Sequence, residues 1–229
     1  MCGYVKSLKF NWLTACREIE YFIGQNLYKV AQSYLDAVFV IPGCAGAFRT
    51  NLFREKLTFD HDTLTEDLDF TYKVHILGLH IAYNKKMIAY TQDPATLSSY
   101  INQIRRWYCG GWQNLRKHFG QVVKKPMNAF QLSLNYIEGF VFSVAFFVAP
   151  IINVRFFEYL VLPFITFMVI IGAFAAVSRK RFDLLYYAPT YLLLVYINVY
   201  IFLEQFILEI VIRKDNLTWF HPERRSINI

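Results

Sequence analysis

From Asn128 to Ile212 the chain is almost unbroken apolar sequence, and few architectures accept such a tract. A helix needs roughly 20 consecutive apolar residues to cross the hydrocarbon core of a bilayer. Three candidate spans of about that length or more are legible: Tyr136 to Val154, Phe156 to Val177 and Phe182 to Ile212. The rest of the composition agrees, with 55% hydrophobic residues and 18% aromatics, too greasy for an ordinary soluble domain. The net charge is +7. In a chain this apolar, excess Lys and Arg face anionic headgroups or set topology, so lipid is the expected partner and nucleic acid is not. The cluster "SRKR" at 178–181 and the pair "KK" at 124–125 both predict a cytoplasmic position, and one helical hairpin between them makes the two readings consistent. The cationic tail "RKDNLTWFHPERR" also asks to be cytoplasmic, although three simple spans would put it outside. The third segment carries Pro189, Glu204 and Glu209. It either spans once and then follows the interface, or folds back. Cys2, Cys16, Cys44 and Cys109 show no metal or disulfide spacing and read as free thiols of a reducing compartment. "CGYVKSLKFNW" after Met1 lacks the apolar core of a secretory signal.

Residues 1–126 hold most of the charge, and "VVKKP" ending at Pro126 marks the boundary with residues 127–229. The first part reads as α/β. Ile19, Phe22, Ile23, Leu27, Val30 and Tyr34 recur at helical spacing between Glu18 and Leu35. "AVFVIPG" (37–43) and "AGAFR" (45–49) read as short strands. Thr65 reads as a helix N-cap, with Glu66, Asp67 and Asp69 in the first turn and Gly78 as the stop. "HIAYN" and "MIAYT", separated by two lysines, read as a hairpin. Asp93-Pro94 breaks that pattern, and a further helix is expected from Thr96 to Phe119.

Two short stretches carry chemistry. In "LTEDLDF", carboxylates in a first helical turn stabilise the helix by about 0.3–1 kcal/mol each. That accounts for one or two acids and explains Asp69 less well. In "QIRRWYCGGW", Gln103, Arg106 and Trp107 share one helix face. An indole stacks on the apolar face of a sugar ring, polar neighbours bond its hydroxyls, and Arg offers a forked donor to phosphate. Gly110 and Gly111 would leave room beside that face. The competing reading is an interfacial helix with Trp and Arg at headgroup depth.

Both stretches, in this order, resemble the processive glycosyltransferase family 2 enzymes, among them cellulose, chitin, hyaluronan and poly-N-acetylglucosamine synthases. Thr65-Glu66-Asp67 matches the family's Thr-Glu-Asp motif, and Gln103, Arg106 and Trp107 match its Gln-x-x-Arg-Trp motif. "VIPGCAGAFR" resembles the Gly-rich loop ahead of the acidic motif, and "WFHPERR" a tail of the poly-N-acetylglucosamine branch. The resemblance implies a membrane-bound inverting transferase, with Asp67 as general base toward an acceptor hydroxyl. Glu66 and Asp69 would orient the acceptor or Asp67, while Gln103, Arg106 and Trp107 grip acceptor sugar and donor diphosphate. A UDP-sugar and a growing polysaccharide are the implied substrates. Glu138, in the first apolar segment, is a candidate for the polymer's path.

The family's nucleotide-binding half, with an Asp-x-Asp that holds Mg²⁺ or Mn²⁺, has no counterpart ahead of "LTEDLDF". Asp67-Leu68-Asp69 has that spacing but lies inside the other motif. "GYVK" resembles the strand that follows the metal motif. The expected fold is therefore the acceptor-side half of a GT-A-like α/β domain followed by about three transmembrane helices. Such a chain is expected to be inactive alone. It would be one piece of a split or longer synthase with an amino-terminal partner half. The alternative is a non-catalytic membrane protein that binds sugar or lipid-linked sugar.

Overall fold

A computed structural model describes residues 1–55, 57–214, 216–218 and 220. The chain opens with strand β1 (Cys2–Ser7), which is almost wholly buried. Helix α1 (Trp12–Ile23) runs through a π-helical turn (Gly24–Tyr28) into α2 (Lys29–Tyr34). It starts ahead of the expected Glu18 because Asn11 and Thr14 form a capping box. The Thr14 N–H donates to Asn11 Oδ1 at 3.1 Å and the Asn11 N–H to Thr14 Oγ1 at 2.9 Å, satisfying orphan donors of the first turn.

Residues 37–49 are not the two strands expected. The run 37–42 has no strand partner, and side chains take the N–H groups of Phe39 and Ile41 instead. The Phe39 N–H donates to Gln32 Oε1 at 3.2 Å and the Ile41 N–H to Thr71 Oγ1 at 2.9 Å. A 3₁₀ turn follows at Gly43–Ala45, and Gly46 makes an isolated bridge to Cys2.

After α3 (Thr50–Glu55) and α4 (Glu66–Ile76), the expected hairpin is a single strand, β2 (Tyr83–Thr91), parallel to β1. Pairing jumps from Gly3↔Asn84 to Tyr4↔Ile88, so the two lysines sit in a bulge rather than a turn. Gly3 permits it, since a Cβ there would lie 2.4 Å from the Met87 carbonyl oxygen. Thr96 caps the long helix α5 (Leu97–Val122) by accepting from the Ser99 N–H at 3.3 Å.

Helix α6 (Pro126–Leu132) passes through a π turn (Ser133–Glu138) into α7 (Gly139–Ile152). Then come α8 (Val154–Arg179), the short α9 (Asp183–Tyr187) and α10 (Tyr191–Phe206), which ends in a π turn (Ile207–Ile212). Among the described residues, three helical stretches are long and apolar enough to cross a membrane: Pro126–Ile152, Val154–Arg179 and Tyr191–Ile212. The Glu138 side chain, Trp219 and residues 221–229, with most of the "WFHPERR" tail, lie outside the described residues.

One core joins β1 to α4 through Cys2, Val38, Ile41, Phe70, Val74 and Ile81. A second packs Ala15, Ile19 and Phe22 of α1 against Met168, Ile171 and Ala175 of α8 and Leu184 of α9. The cationic end of α8 is tied to the same side. Arg179 lies over the rings of Tyr4 and Phe22 at 4.9 and 5.5 Å, and Arg181 pairs with Glu18 at 2.9 Å. Helix α10 runs alongside α5 in the same direction. Tyr100 bonds Asn198 at 2.7 Å, Arg105 grips Glu204 with two bonds of 2.8 and 2.9 Å, and the Cys109 thiol donates to Glu209 at 3.0 Å. Glu204 and Glu209 thus have partners on α5, as carboxylates in a low-dielectric setting require.

Candidate active site

The first turn of α4 is built onto the middle of α5. Gly110 is the contact point: a Cβ there would stand 2.4 Å from Thr65 Oγ1 and 2.8 Å from the Thr65 nitrogen. Asn114, one turn further along and fully buried, donates to Thr65 Oγ1 at 2.9 Å and to the Thr65 carbonyl at 3.1 Å. Gln113 Oε1 accepts the Leu64 N–H at 3.0 Å. The room that Gly110 leaves is therefore filled by Thr65, not by a sugar. The space at Gly111 is met by Tyr136, whose hydroxyl donates to the Gly111 carbonyl at 2.9 Å. Gln113 and Asn114 escaped the sequence reading. Their only signal was four-residue spacing from Cys109 and Gly110 on a helix already read for its Trp and Arg.

This joint presents Asp67 in a fixed pose. Its carboxylate accepts the Gly43 N–H at 3.1 Å and the Leu68 N–H at 2.9 Å. Arg106, from α5, donates to the Leu64 carbonyl at 3.3 Å and feels the charges of Glu66 and Asp67. Burial, reinforced by the neighbouring Glu66 carboxylate, raises the Asp67 pKa above the ordinary value, against the opposing pull of the two N–H groups and Arg106. A carboxylate whose pKa is raised is a better proton acceptor than a free one. Asp67, Glu66 and Arg106 are each half-buried.

Asp69 goes elsewhere. Its side chain is fully buried, with His118 at 2.7 Å, Lys117 at 2.8 Å and Lys73 at 2.8 Å. Burial alone would raise its pKa, but these three partners outweigh burial and hold it well below the usual carboxylate range. The expected role in orienting the acceptor or Asp67 is not what these contacts serve; they pin α4 to α5. Gln103 is half-buried, and its amide oxygen lies buried without a hydrogen bond. Trp107 has one neighbour that the sequence did not suggest. The guanidinium of Arg17, wholly buried, sits 4.9 Å from its indole centroid. Arg17 is held in turn by Glu20 at 2.5 Å and by the Tyr21 hydroxyl at 3.0 Å.

The resemblance implies a divalent ion, and one cluster of acids among the described residues is close enough to be its candidate ligand set. Asp60, Asp62 and Asp69 bring oxygens within 4.8 Å of one another. Lys117, however, contacts all three at 2.8 Å, and Lys73 contacts Asp60 at 2.7 Å as well as Asp69. Two ammonium groups already occupy the positions a cation would take, and hard cations need open oxygens. The cluster does not fit a metal. Asp67 and Asp69 do not form an Asp-x-Asp pair either, because their carboxylates engage separate partners.

Comparison with known proteins accords with the geometry. The chain is 27% identical to hyaluronan synthase 1 of Xenopus laevis over 105 residues, which is 42% of this chain and 18% of that protein. It is 27% identical to poly-beta-1,6-N-acetyl-D-glucosamine synthase of Staphylococcus epidermidis over 116 residues, 51% of this chain and 28% of that one. A probable glucomannan 4-beta-mannosyltransferase 6 of Oryza sativa subsp. japonica is 27% identical over 111 residues, 48% and 19% of the two chains. The chain thus spans less than a third of each of these relatives. A family model described as glycosyl transferase family group 2 matches residues 7–203, a stretch that runs from the end of β1 into α10. A membrane protein with a small parallel sheet and a mostly helical body, this chain belongs to glycosyl transferase family group 2.

Proposed function

We propose that the chain is the acceptor-side part of a membrane-bound, inverting polysaccharide synthase. Asp67 is its general base. The acceptor hydroxyl loses its proton to the Asp67 carboxylate as its oxygen bonds to the anomeric carbon of a nucleotide sugar. The bond from that carbon to the diphosphate breaks, and the nucleoside diphosphate leaves. Glu66 orients the base, Arg106 faces the developing negative charge, and Gln103 and Trp107 hold the acceptor ring. The relatives' names supply the substrate class, a sugar polymer. The single observation that carries the reading is the fixed Asp67 carboxylate, held by two backbone N–H groups beside Arg106, with burial raising its pKa.

The donor-binding part is supplied by further sequence or a partner chain. Two observations support this. A two-stranded parallel sheet is a small unit for an architecture whose strands are normally covered on both faces, and the relatives extend far beyond the matched stretch. The attachment of the α8 cationic end to β1 and α1 supports a cytoplasmic position for both. The test is Asp67→Asn in an assembly that joins this chain to a donor-binding half and makes polymer. Turnover should fall by about 10²–10⁴-fold with donor affinity nearly unchanged. Near-normal synthesis removes Asp67 from the role.

A further inference from the structure

Arg17 of α1 is wholly buried, a costly place for a guanidinium. Two acids offset its charge. Glu20 accepts from Arg17 Nη1, and Asp93, buried just ahead of the α5 cap, lies 3.6 Å from Arg17 Nε. Tyr21 links cation and acid: its hydroxyl accepts from Arg17 Nη2 at 3.0 Å and donates to Asp93 Oδ1 at 2.9 Å. Charge balance alone does not account for this residue. A compact ammonium would neutralise the same acids, and apolar side chains in place of all three would pack without any charge. What a guanidinium adds is a flat cation that its forked bonds hold in one plane, able to stack on rings. Three rings receive it. Arg17 Cζ lies 4.8 Å from the Tyr21 centroid, 5.6 Å from that of Tyr100 and 4.9 Å from that of Trp107.

The three rings differ in what else holds them. Tyr21 is tied to Asp93, and Tyr100 is fully buried with its hydroxyl on Asn198 at 2.7 Å. Trp107 is half-buried, and among the described residues no hydrogen bond fixes its indole N–H. It leans on the core that Leu13, Cys16 and Leu194 build between α1, α5 and α10, and on the guanidinium. An indole that is to stack on a sugar must be held in one pose beforehand, since ordering it on binding weakens the complex. The guanidinium lies over one face of the indole, which leaves the opposite face for a ligand ring.

We propose that Arg17 is the positioning residue of Trp107, holding the indole so that one face receives the acceptor sugar. That role rests on the transferase reading above, in which Trp107 holds the acceptor ring, but its first test does not. The purified chain in detergent is labelled with 5-fluorotryptophan, and the fluorine NMR line of Trp107 is identified with Trp107→Phe. Arg17→Lys keeps the charge that Glu20 and Asp93 require and loses the flat fork. Its Trp107 line should split or broaden as the indole takes more than one pose. The line of Trp112, packed on the same helix against Tyr136 and Phe202, should keep its position and width. Tyr21→Phe keeps charge and ring but removes the oxygen between guanidinium and Asp93, and should act in the same direction; it decides alone if Arg17→Lys does not fold. Arg181→Lys, at the neighbouring Glu18 pair of α1, should leave the Trp107 line as it is. A single, unbroadened Trp107 line in these Arg17 and Tyr21 variants overturns the proposal. So does a Trp112 line that is disturbed together with it in Tyr21→Phe. In a polymer-forming assembly, Arg17→Lys should shorten product as Trp107→Ala does, and the double variant should shorten it no further, as two residues acting through one contact require. Additive shortening also overturns the proposal. A disturbed Trp107 line together with normal synthesis by Asp67→Asn would keep the positioning role and remove the base.

Discussion

Gly110 is the residue on which the site turns. With a Cβ placed 2.4 Å from Thr65 Oγ1, Gly110→Ala must push α4 off α5 or strain both. Overpacking of this kind costs about 1–3 kcal/mol, and the displaced element is the one that carries Asp67. Thermal or denaturant melts should show the loss, and Gly120→Ala, with open space around it, is the control. Asn114→Ala should cost a comparable ~1–3 kcal/mol, because it leaves buried acceptors at Thr65 unsatisfied. Trp107 and Tyr108 separate two roles for the helix. Tyr108 packs edge-on against Phe202 of α10, whereas Trp107 is braced by Arg17. In a polymer-forming assembly, Trp107→Ala should shorten product more than Tyr108→Ala. Equal effects would make this face a membrane anchor rather than a sugar clamp.

At the scale of elements, titratable groups hold α4 on two sides, His75 against the 37–42 run and Asp69 against α5, and stability follows pH in two steps. His75 is buried, with Nε2 at 2.8 Å from the Val38 carbonyl oxygen. Burial lowers its pKa below 6.5. A folded-state pKa below the unfolded one means that folding favours the neutral ring. The resulting stability is full above the ordinary value and is lost as pH falls through it. The Asp69 carboxyl is also held low, by His118, Lys117 and Lys73 against burial. Its contribution is full above the ordinary 3.8 and disappears as pH falls below that. Melting temperature against pH should therefore drop first beneath about 6.5 and again beneath about 4. His75→Gln should remove the first step and Asp69→Asn the second. A single step common to both variants would place the acid sensitivity elsewhere.

At the scale of the molecule, the reading proposed above is an acceptor-side apparatus on a membrane body. The acids that could have held a cation are occupied by Lys73 and Lys117. The isolated chain in detergent should accordingly show no gain in UDP-sugar affinity when Mg²⁺ or Mn²⁺ is added, and should release no UDP. Micromolar binding that depends on either ion would mean that the donor site lies within these residues. The β2 strand exposes Ile88 and Tyr90, and apolar exposure on a two-stranded sheet is a liability that further strands would cover.

What the sequence determined by itself was local. Hydrophobic runs long enough for a bilayer gave the three helical stretches, because each such helix satisfies its backbone internally wherever it sits. Thr65 and Thr96 both marked helix starts, but of the two it is Thr96 that makes the local capping bond, to the Ser99 N–H, whereas Thr65 makes no side-chain cap and its hydroxyl accepts from Asn114 of α5. The motif residues were legible as a set because helical spacing alone puts Gln103, Arg106 and Trp107 on one face. What the tertiary structure decided was partnership. Asp67 and Asp69 stand two apart on a helix that turns about 100° per residue, so one reaches the Gly43 turn and the other is buried against α5. No count of acids in "LTEDLDF" could tell which was which. The β-rich run 37–42 stays outside the sheet because Gln32 and Thr71, from helices on either side in sequence, take the N–H groups a neighbouring strand would have taken. A strand exists only where an edge is free to receive it, and that is settled by the fold as a whole.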